Sequence, residues 1–586
     1  MKQTSPSPVQ VTVDNARPSA TAKRRKPAVP RTPAAEKQSQ GLARTAQAVD
    51  LLADVANHTM AANPLIGLRA ADLASAAGSL LHAVRKAPKK AGGHLLHYSK
   101  SLSSIVRGSS GIAPHPRDKR FADPAWQNNF LLNRIMQGYL ATQDELQRFI
   151  AESGLDEMNK SRAQFVATLV MDALAPNNNP LLNPLALRKI IDTGGANLAT
   201  GARQLIQDVR SNKGLPSMVD SSGFHLGENI ATARGSVVLR NEMFELLQFA
   251  PTTAKVYGRP LVMSPPQINK YYAVDLTPEK SLIKWIQDSG VQLFVISWRN
   301  PGAEHRHWGL SEYVLCLDQA VEVARSITGS AEVNMWGTCS GGLTLAAYLG
   351  WLGARNDLAK IANTSWAVCV LNTSASLDGT TLGLFTTNQT LHAARAQSRR
   401  NGVLTGEEMA RMFAWMRPND LIWNYWVNNY LLGNKPPAFD ILFWNADTTR
   451  MPARMHHEYL IALYLHNELA SSSYRVDGHA VSLIDIDVPV FLVGTERDHI
   501  SPWRSVYKLH HLCDTELTFV LTNGGHNAGI LSEPGHAGRR YQIGVRPAHG
   551  PWVQREQWLR QTPTHEGSWW PAWFASDPAY NPNLSL

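Results

Sequence analysis

Residues 331–354, AEVNMWGTCSGGLTLAAYLGWLGA, constrain this chain more than any other stretch. Residues 333–336 are a short apolar run of the kind that fills a buried strand. Gly337-Thr338-Cys339-Ser340-Gly341-Gly342 follows at once, and Leu343, Leu345, Ala346, Ala347, Leu349 and Leu352 then recur at helical spacing. Strand, tight glycine turn and helix is the setting in which a G-x-S-x-G turn lifts a nucleophile above a sheet, here with Cys339 in the nucleophile position. Gly337 and Gly341 suit a backbone so sharply bent that larger side chains would collide. A thiolate attacks acyl groups readily, and the positive end of the helix that follows favours an anion there. A buried cysteine in an ordinary glycine turn would read the same way, so the motif needs partners elsewhere in the chain.

Two later segments supply them. Beyond residue 235 the texture alternates between strands and helices, with strands expected at 236–239, 244–249, 261–264, 293–298, 333–336 and 366–371. The last two are expected at 488–493 and 517–521. A helix is expected at 310–327 with Ser311 as its N-cap. Such alternation predicts an α/β domain with a mainly parallel sheet covered on both faces. Strand 488–493 runs into Gly494-Thr495-Glu496-Arg497-Asp498-His499, and strand 517–521 into Asn523-Gly524-Gly525-His526. Both polar residues therefore fall at carboxyl ends of strands, where α/β sheets hold ligands. Nucleophile, Asp, His is the chain order of the α/β-hydrolases. His526 is placed to take the thiol proton and Asp498 to orient the imidazole. Asp378 is the alternative acid; His499, His510 and His511 are alternative bases, none of which follows its own strand. The oxyanion hole is expected to use the N–H of Ser340 and a second donor from the loop after 261–264. Pro265 and Pro266 have no N–H, which leaves Gln267 or Ile268.

The rest of the chain divides around this site. A length of 586 residues exceeds one ordinary core. Residues 1–46 hold Lys23-Arg24-Arg25-Lys26 in a Pro-, Ala-, Ser- and Thr-rich background and read as a disordered basic tail. That tail carries part of a net charge of +10, but no nucleic-acid module follows it and no nucleic-acid partner is expected. Residues 47–225 read as a helical N-terminal domain, with helical segments at 130–149, 163–174 and 185–209. Residues 226–586 read as the catalytic domain. Between strands 366–371 and 488–493 lie more than about a hundred residues, far beyond one crossover, and these are expected to form a cap at about 375–480. Its aromatic runs, Trp423-Asn424-Tyr425-Trp426 and Phe439-Asp440-Ile441-Leu442-Phe443-Trp444, suit a lid that excludes water and holds an apolar acyl chain, though most are expected to be the cap's own core. The four cysteines show no metal-ligand spacing and too low a density for a disulfide scaffold, which fits a reducing cytoplasm. No metal, cofactor or transmembrane segment is expected.

The chain resembles the polyhydroxyalkanoate synthases, polymerases of bacterial storage polyesters. The matching stretches include Asp123-Pro124-Ala125-Trp126, Gly194-Gly195-Ala196-Asn197-Leu198, Pro265-Pro266-Gln267-Ile268-Asn269-Lys270-Tyr271-Tyr272, Val295-Ile296-Ser297-Trp298-Arg299-Asn300-Pro301, the Cys339 box, Asn428-Asn429-Tyr430-Leu431-Leu432-Gly433, Asp498-His499-Ile500 and Gly567-Ser568-Trp569-Trp570-Pro571. The resemblance implies an α/β-hydrolase fold with Cys339 as nucleophile and Asp498 and His526 completing a triad. It further implies (R)-3-hydroxyacyl-CoA as substrate and a cytoplasmic homodimer on the polymer granule, of the one-component classes I and II. The same triad with water admitted would make a thioesterase, esterase or depolymerase. A granule-coating protein without catalysis is the remaining alternative.

Because the triad and the family stretches all lie beyond residue 115, deletion of residues 1–45 is expected to leave turnover by soluble protein largely intact. Purification of the truncated chain and a CoA-release assay check this; loss of folding or of nearly all activity would refute it.

Overall fold

The computed structural model describes residues 88–373 and 388–580, apart from 117, 213 and 417, together with single positions at 78 and 85. The tail expected at 1–46, the helical reading of 47–87 and Asp378 lie outside the described residues.

Ten strands form the main sheet: β1 Gly235–Arg240, β2 Phe244–Phe249, β3 Leu261–Ser264, β4 Leu293–Trp298, β5 Val333–Thr338, β6 Ile361–Ala367, β7 Val490–Thr495, β8 Leu517–Thr522, β9 Arg540–Arg546 and β10 Thr564–Glu566. Their spatial order is β1-β2-β4-β3-β5-β6-β7-β8-β9-β10. The six strands from β4 to β8 run parallel, and the pairs at both ends of the sheet are antiparallel. Parallel strands are covered on both faces, which is why β3, β7 and β8 are buried at every position and largely apolar. One face packs Val262, Met335, Leu492 and Phe519 against helices, and the other packs Met263, Trp336, Val493 and Val520. Each fully buried side chain of this size contributes about 1.5–3 kcal/mol.

Several elements depart from the sequence-based expectation for local reasons. The strand expected at 366–371 is β6, which begins earlier and stops at Ala367. The chain turns out of the sheet at Val368, whose φ of 51° no strand continues through. The strand expected at 488–493 starts at Val490, after Pro489, which has no N–H to give a ladder. β8 is not the last strand: β9 and β10 follow, and the charged, glycine-broken sequence of β9 hid it. The helix expected at 310–327 is α6, numbered after the five helices given below. It spans Leu310–Thr328 and begins at Gly309 rather than Ser311, because Glu312 accepts the Gly309 N–H at 2.7 Å.

The N-terminal part is helical: α1 Pro88–Arg107, α2 Phe130–Glu152, α3 Glu157–Ala173, α4 Pro184–Thr193 and α5 Ala196–Ser211. Side chains of Asn129, Asp156 and Asn183 cap the starts of α2, α3 and α4. The single segment expected at 185–209 is two helices. Gly194 and Gly195 both adopt left-handed backbone, which ends α4 and redirects the chain into α5. Helix α5 then lies against the cap. Asn197 Nδ2 donates to the Leu431 carbonyl at 2.7 Å, and the Tyr430 hydroxyl donates to Asp208 at 2.7 Å. Gly201 faces the Tyr430 carbonyl so closely that a methyl group there would overlap it.

Gly201→Ala is therefore expected to push α5 off the cap and to cost about 1–3 kcal/mol of stability. Denaturant unfolding of the variant measures this, and an unchanged midpoint would show that the contact yields.

Candidate active site

Cys339 occupies the single residue between β5 and helix α7, Ser340–Ala354. Its backbone has φ 49° and ψ −120°, a conformation that costs about 1–3 kcal/mol and persists only where neighbours impose it. The neighbours are identifiable. The Cys339 N–H donates to the Ala367 carbonyl at 3.0 Å, tying the turn to the end of β6. Gly341 lies against the carbonyls of Ser264 and Pro265, and Gly342 against the Cys369 sulfur, with no room for a methyl at either position.

The expected partners converge on this turn. Asp498 follows β7, and its Oδ1 accepts backbone N–H groups from Ile500 and Ser501, each at 2.8 Å. Its Oδ2 pairs with His526 Nδ1 at 2.8 Å, and the carboxylate is fully buried. His526 follows β8 and opens the short helix His526–Ile530. The imidazole bonds to Asp498 on one side and lies close enough to Cys339 to interact with its thiol. Burial alone would push the imidazole pKa down, but the interactions with Cys339 and Asp498 outweigh it, raising it to about 10.

Three elements of the α/β sheet thus bring a thiol, an imidazole and a carboxylate together in the order read from the chain. Residues 117–286 match the family described as the poly-beta-hydroxybutyrate polymerase N-terminus, and residues 266–533 match the alpha/beta hydrolase fold. The chain is 43% identical over 525 residues to poly(3-hydroxyalkanoate) polymerase 1 of Ectopseudomonas oleovorans, covering 89% of this chain and 92% of that protein. It is 36% identical over 509 residues to the polymerase subunit PhaC of Cupriavidus necator, covering 84% of each.

The chain belongs to the poly(3-hydroxyalkanoate) polymerase family. It is accordingly an acyltransferase enzyme on an α/β-hydrolase fold. In this polymerase the loop after β3 sits beside the start of α7. The Ser264 hydroxyl donates to the Gly341 carbonyl at 3.3 Å, and Gln267 Nε2 donates to Thr344 at 2.6 Å. Ser340 heads α7, where backbone N–H groups have no partner within the helix. The Ile268 carbonyl accepts the Thr449 N–H at 3.1 Å, which fixes that loop to the cap.

The alternative histidines are placed elsewhere or already flanked. His510 is buried against Tyr507 and Phe519, and burial, aided by Arg546 and His511, pushes its pKa down to about 3. His511 lies edge-on to Trp552. His499 adjoins Asp498 in sequence, but the Asp498 carboxylate is engaged by His526.

The cap aromatics do not all serve the site. Trp426 donates to the Asn178 carbonyl at 3.1 Å and Tyr430 bonds to Asp208, so this run docks the cap onto the N-terminal helices. Trp444 donates to the Lys270 carbonyl at 2.8 Å. Tyr459 and Tyr464, on the π-helical turn Tyr459–Leu465, lie close enough to Cys339 to feel its charge, and nothing in the cap expectation pointed to them. The Tyr459 hydroxyl donates to the Ser340 carbonyl at 3.3 Å. Burial, and then the nearby Cys339 charge, raise both phenol pKa values. Only the doubled tyrosine in an apolar run, Tyr-Leu-Ile-Ala-Leu-Tyr-Leu, marked them.

A His526 pKa raised above its unfolded value of about 6.5 stabilises the folded state fully below that pH. The contribution is lost as pH rises through about 10. Nitrogen NMR of labelled histidine is expected to show this ring titrating far above the others, and Asp498→Asn to bring it down. A wild-type titration near 6.5 would remove the imidazolium from the resting site.

Proposed function

We propose that this chain polymerises (R)-3-hydroxyacyl-CoA into polyhydroxyalkanoate with release of CoA, through an acyl thioester on Cys339. The observation that carries the reading is the imidazole that bonds to the Asp498 carboxylate and lies beside Cys339 on its strained turn. His526 holds the thiol proton while the Cys339 sulfur attacks the substrate carbonyl. The N–H groups of Ser340 and Ile268 receive the oxyanion, the CoA sulfur leaves with the proton from His526, and the acyl group remains on Cys339. The 3-hydroxyl of a second monomer or of the growing chain then gives its proton to His526 and attacks the thioester, forming an ester and freeing the thiol. Tyr459, buried beside the start of α7, and Tyr464 on the same turn keep water from taking the place of that hydroxyl.

The enzyme works as a homodimer in the cytoplasm, on the granule surface. Leu95, Val106, Phe130 and Leu131 on α1 and α2 support this, exposing apolar side chains to solvent, Val106 at 73%. No helix among the described residues is long and apolar enough to cross a membrane.

Incubation with 3-hydroxybutyryl-CoA and 3-hydroxydecanoyl-CoA, following CoA release and insoluble polymer together, tests the reading. Free acid in place of polymer would make the enzyme a hydrolase. Cys339→Ala is expected to abolish CoA release, whereas Ala at Cys316, Cys369 or Cys513 retains most of it; an acyl group trapped on another residue and found by mass spectrometry would sink the assignment. Asp498→Asn is expected to keep a burst near one CoA per site and to slow steady turnover about 10²-fold or more, since the 3-hydroxyl is a far weaker acid than a thiol. Loss of the burst as complete as in His526→Gln would show that the acid is needed equally in both steps.

A further inference from the structure

Past Asp498 the chain turns down the side of the sheet as Trp503–Val506 and Tyr507–His511. Arg504, Lys508 and His511 follow one another at intervals of four and three, which puts them along one face of the turn. They form one wall of an open groove of about 470 Å³, and Trp552, Gln554 and Arg555 form the other. A volume in this range suits a ligand-sized molecule, about 300–1,000 Å³. Glu556 bonds to Arg555 at 2.7 Å and pairs with Arg504 at 3.5 Å, setting two guanidinium groups side by side. Trp552 is 49% exposed, whereas Trp336, Trp569 and Trp573 are buried, so an indole is left in water at the lip of a basic groove.

Such a surface has a definite chemistry. Guanidinium and ammonium groups bind phosphate oxygens through charge-assisted hydrogen bonds, and an open indole offers a stacking face to a base. The groove is also tied to the cap turn near Cys339 through its lining residue Asn372, which accepts Asn467 Nδ2 at 3.1 Å. The next residue, Thr373, donates to the Leu463 and Tyr464 carbonyls at 2.8 and 3.3 Å, on the π-helical turn that covers Cys339. Arg504 lies six residues beyond Asp498, at most about 21 Å even if that chain were extended. The larger cavity of about 880 Å³ sits at the amino ends of β5 to β8 and is lined by Asp485, Asp487, Glu516 and Asp577, which would repel a polyphosphate.

We propose that the groove seats the 3′-phospho-ADP end of coenzyme A, with adenine on Trp552 and phosphates on Arg504, Lys508 and Arg555, while the pantetheine arm runs past Asn372 to Cys339. This rests on the thioester reading given above. The groove then supplies binding that is independent of the acyl group, and it holds CoA rather than the polymer.

The test compares 3-hydroxybutyryl-CoA with 3-hydroxybutyryl-pantetheine, which lacks the nucleotide. In Arg504→Glu/Lys508→Glu and in Trp552→Ala, KM for the CoA thioester is expected to rise at least about tenfold. KM for the pantetheine thioester and kcat for both should stay within about twofold. Equal losses on both thioesters, or no loss on either, would overturn the proposal. Calorimetry with 3′,5′-ADP reads the groove without turnover: wild type is expected to bind it, and Trp552→Ala, which alters one exposed ring, to bind at least about tenfold more weakly. Absence of wild-type binding overturns the groove assignment. Binding by a protein that turns over neither thioester keeps the groove and refutes the thioester reading instead. If the doubly charged variant does not fold, Trp552→Ala alone decides.

Discussion

A left-handed backbone at one cysteine governs much of this architecture. Cys339 holds φ 49° because nothing larger than glycine fits at Gly341 against the Ser264 and Pro265 carbonyls, or at Gly342 against the Cys369 sulfur. The strain of about 1–3 kcal/mol is met by close packing of three strand ends, β3, β5 and β6, around the turn. The same packing sets the loop after β3 beside the first N–H groups of α7. The strained turn at Cys339 and the placing of that loop are therefore two results of one steric constraint. Cys369 belongs to the constraint as well: it is fully buried, its thiol donates to the Ala367 carbonyl at 3.2 Å, and burial pushes its pKa well above the ordinary range.

The helical N-terminal part and the cap meet through polar side chains on backbone carbonyls, as with Asn197 on Leu431 and Trp426 on Asn178. Each such bond contributes about 0.5–1.5 kcal/mol, so the join is specific in register without being greasy. It leaves the apolar side chains of α1 and α2 facing outward. The aromatic run at Trp423 to Tyr430 consequently fixes the cap's position, and a different turn, Tyr459–Leu465, reaches the start of α7 through Tyr459. That turn is π-helical, and such wide turns recur at functional sites because they re-aim side chains that a regular helix would point elsewhere.

The legible parts of the sequence were those in which local pattern and burial coincide. The strand cores at β3, β4 and β8 are short apolar runs, β5 is broken only by Asn334, and the polar residue after each of β7 and β8 follows from chain order. Asp498 and His526 were readable for that reason. β9 was not, because Arg540, Gly544 and Arg546 interrupt its pattern while its pairing with β8 holds it in the sheet. The break between α4 and α5 was visible as Gly194-Gly195, yet helical composition on both sides masked it. Tyr459 and Tyr464 were hidden by their apolar setting, since nothing local separates a tyrosine facing a thiol from one filling a core.

The short helix that begins with His526 is bolted from a distance. Trp569 donates its indole N–H to the Gly529 carbonyl and Trp570 to the Ile530 carbonyl, each at 2.9 Å, and both rings are buried. Trp573 reaches Ser365 on β6, and Trp569 stacks over Trp336 on β5. During synthesis on the ribosome, Cys339, Asp498 and His526 all emerge before these indoles do. A nascent chain therefore carries all three of these residues while the helix that begins with His526 still lacks its anchor. The segment made last is the one that closes the packing around residues made before it.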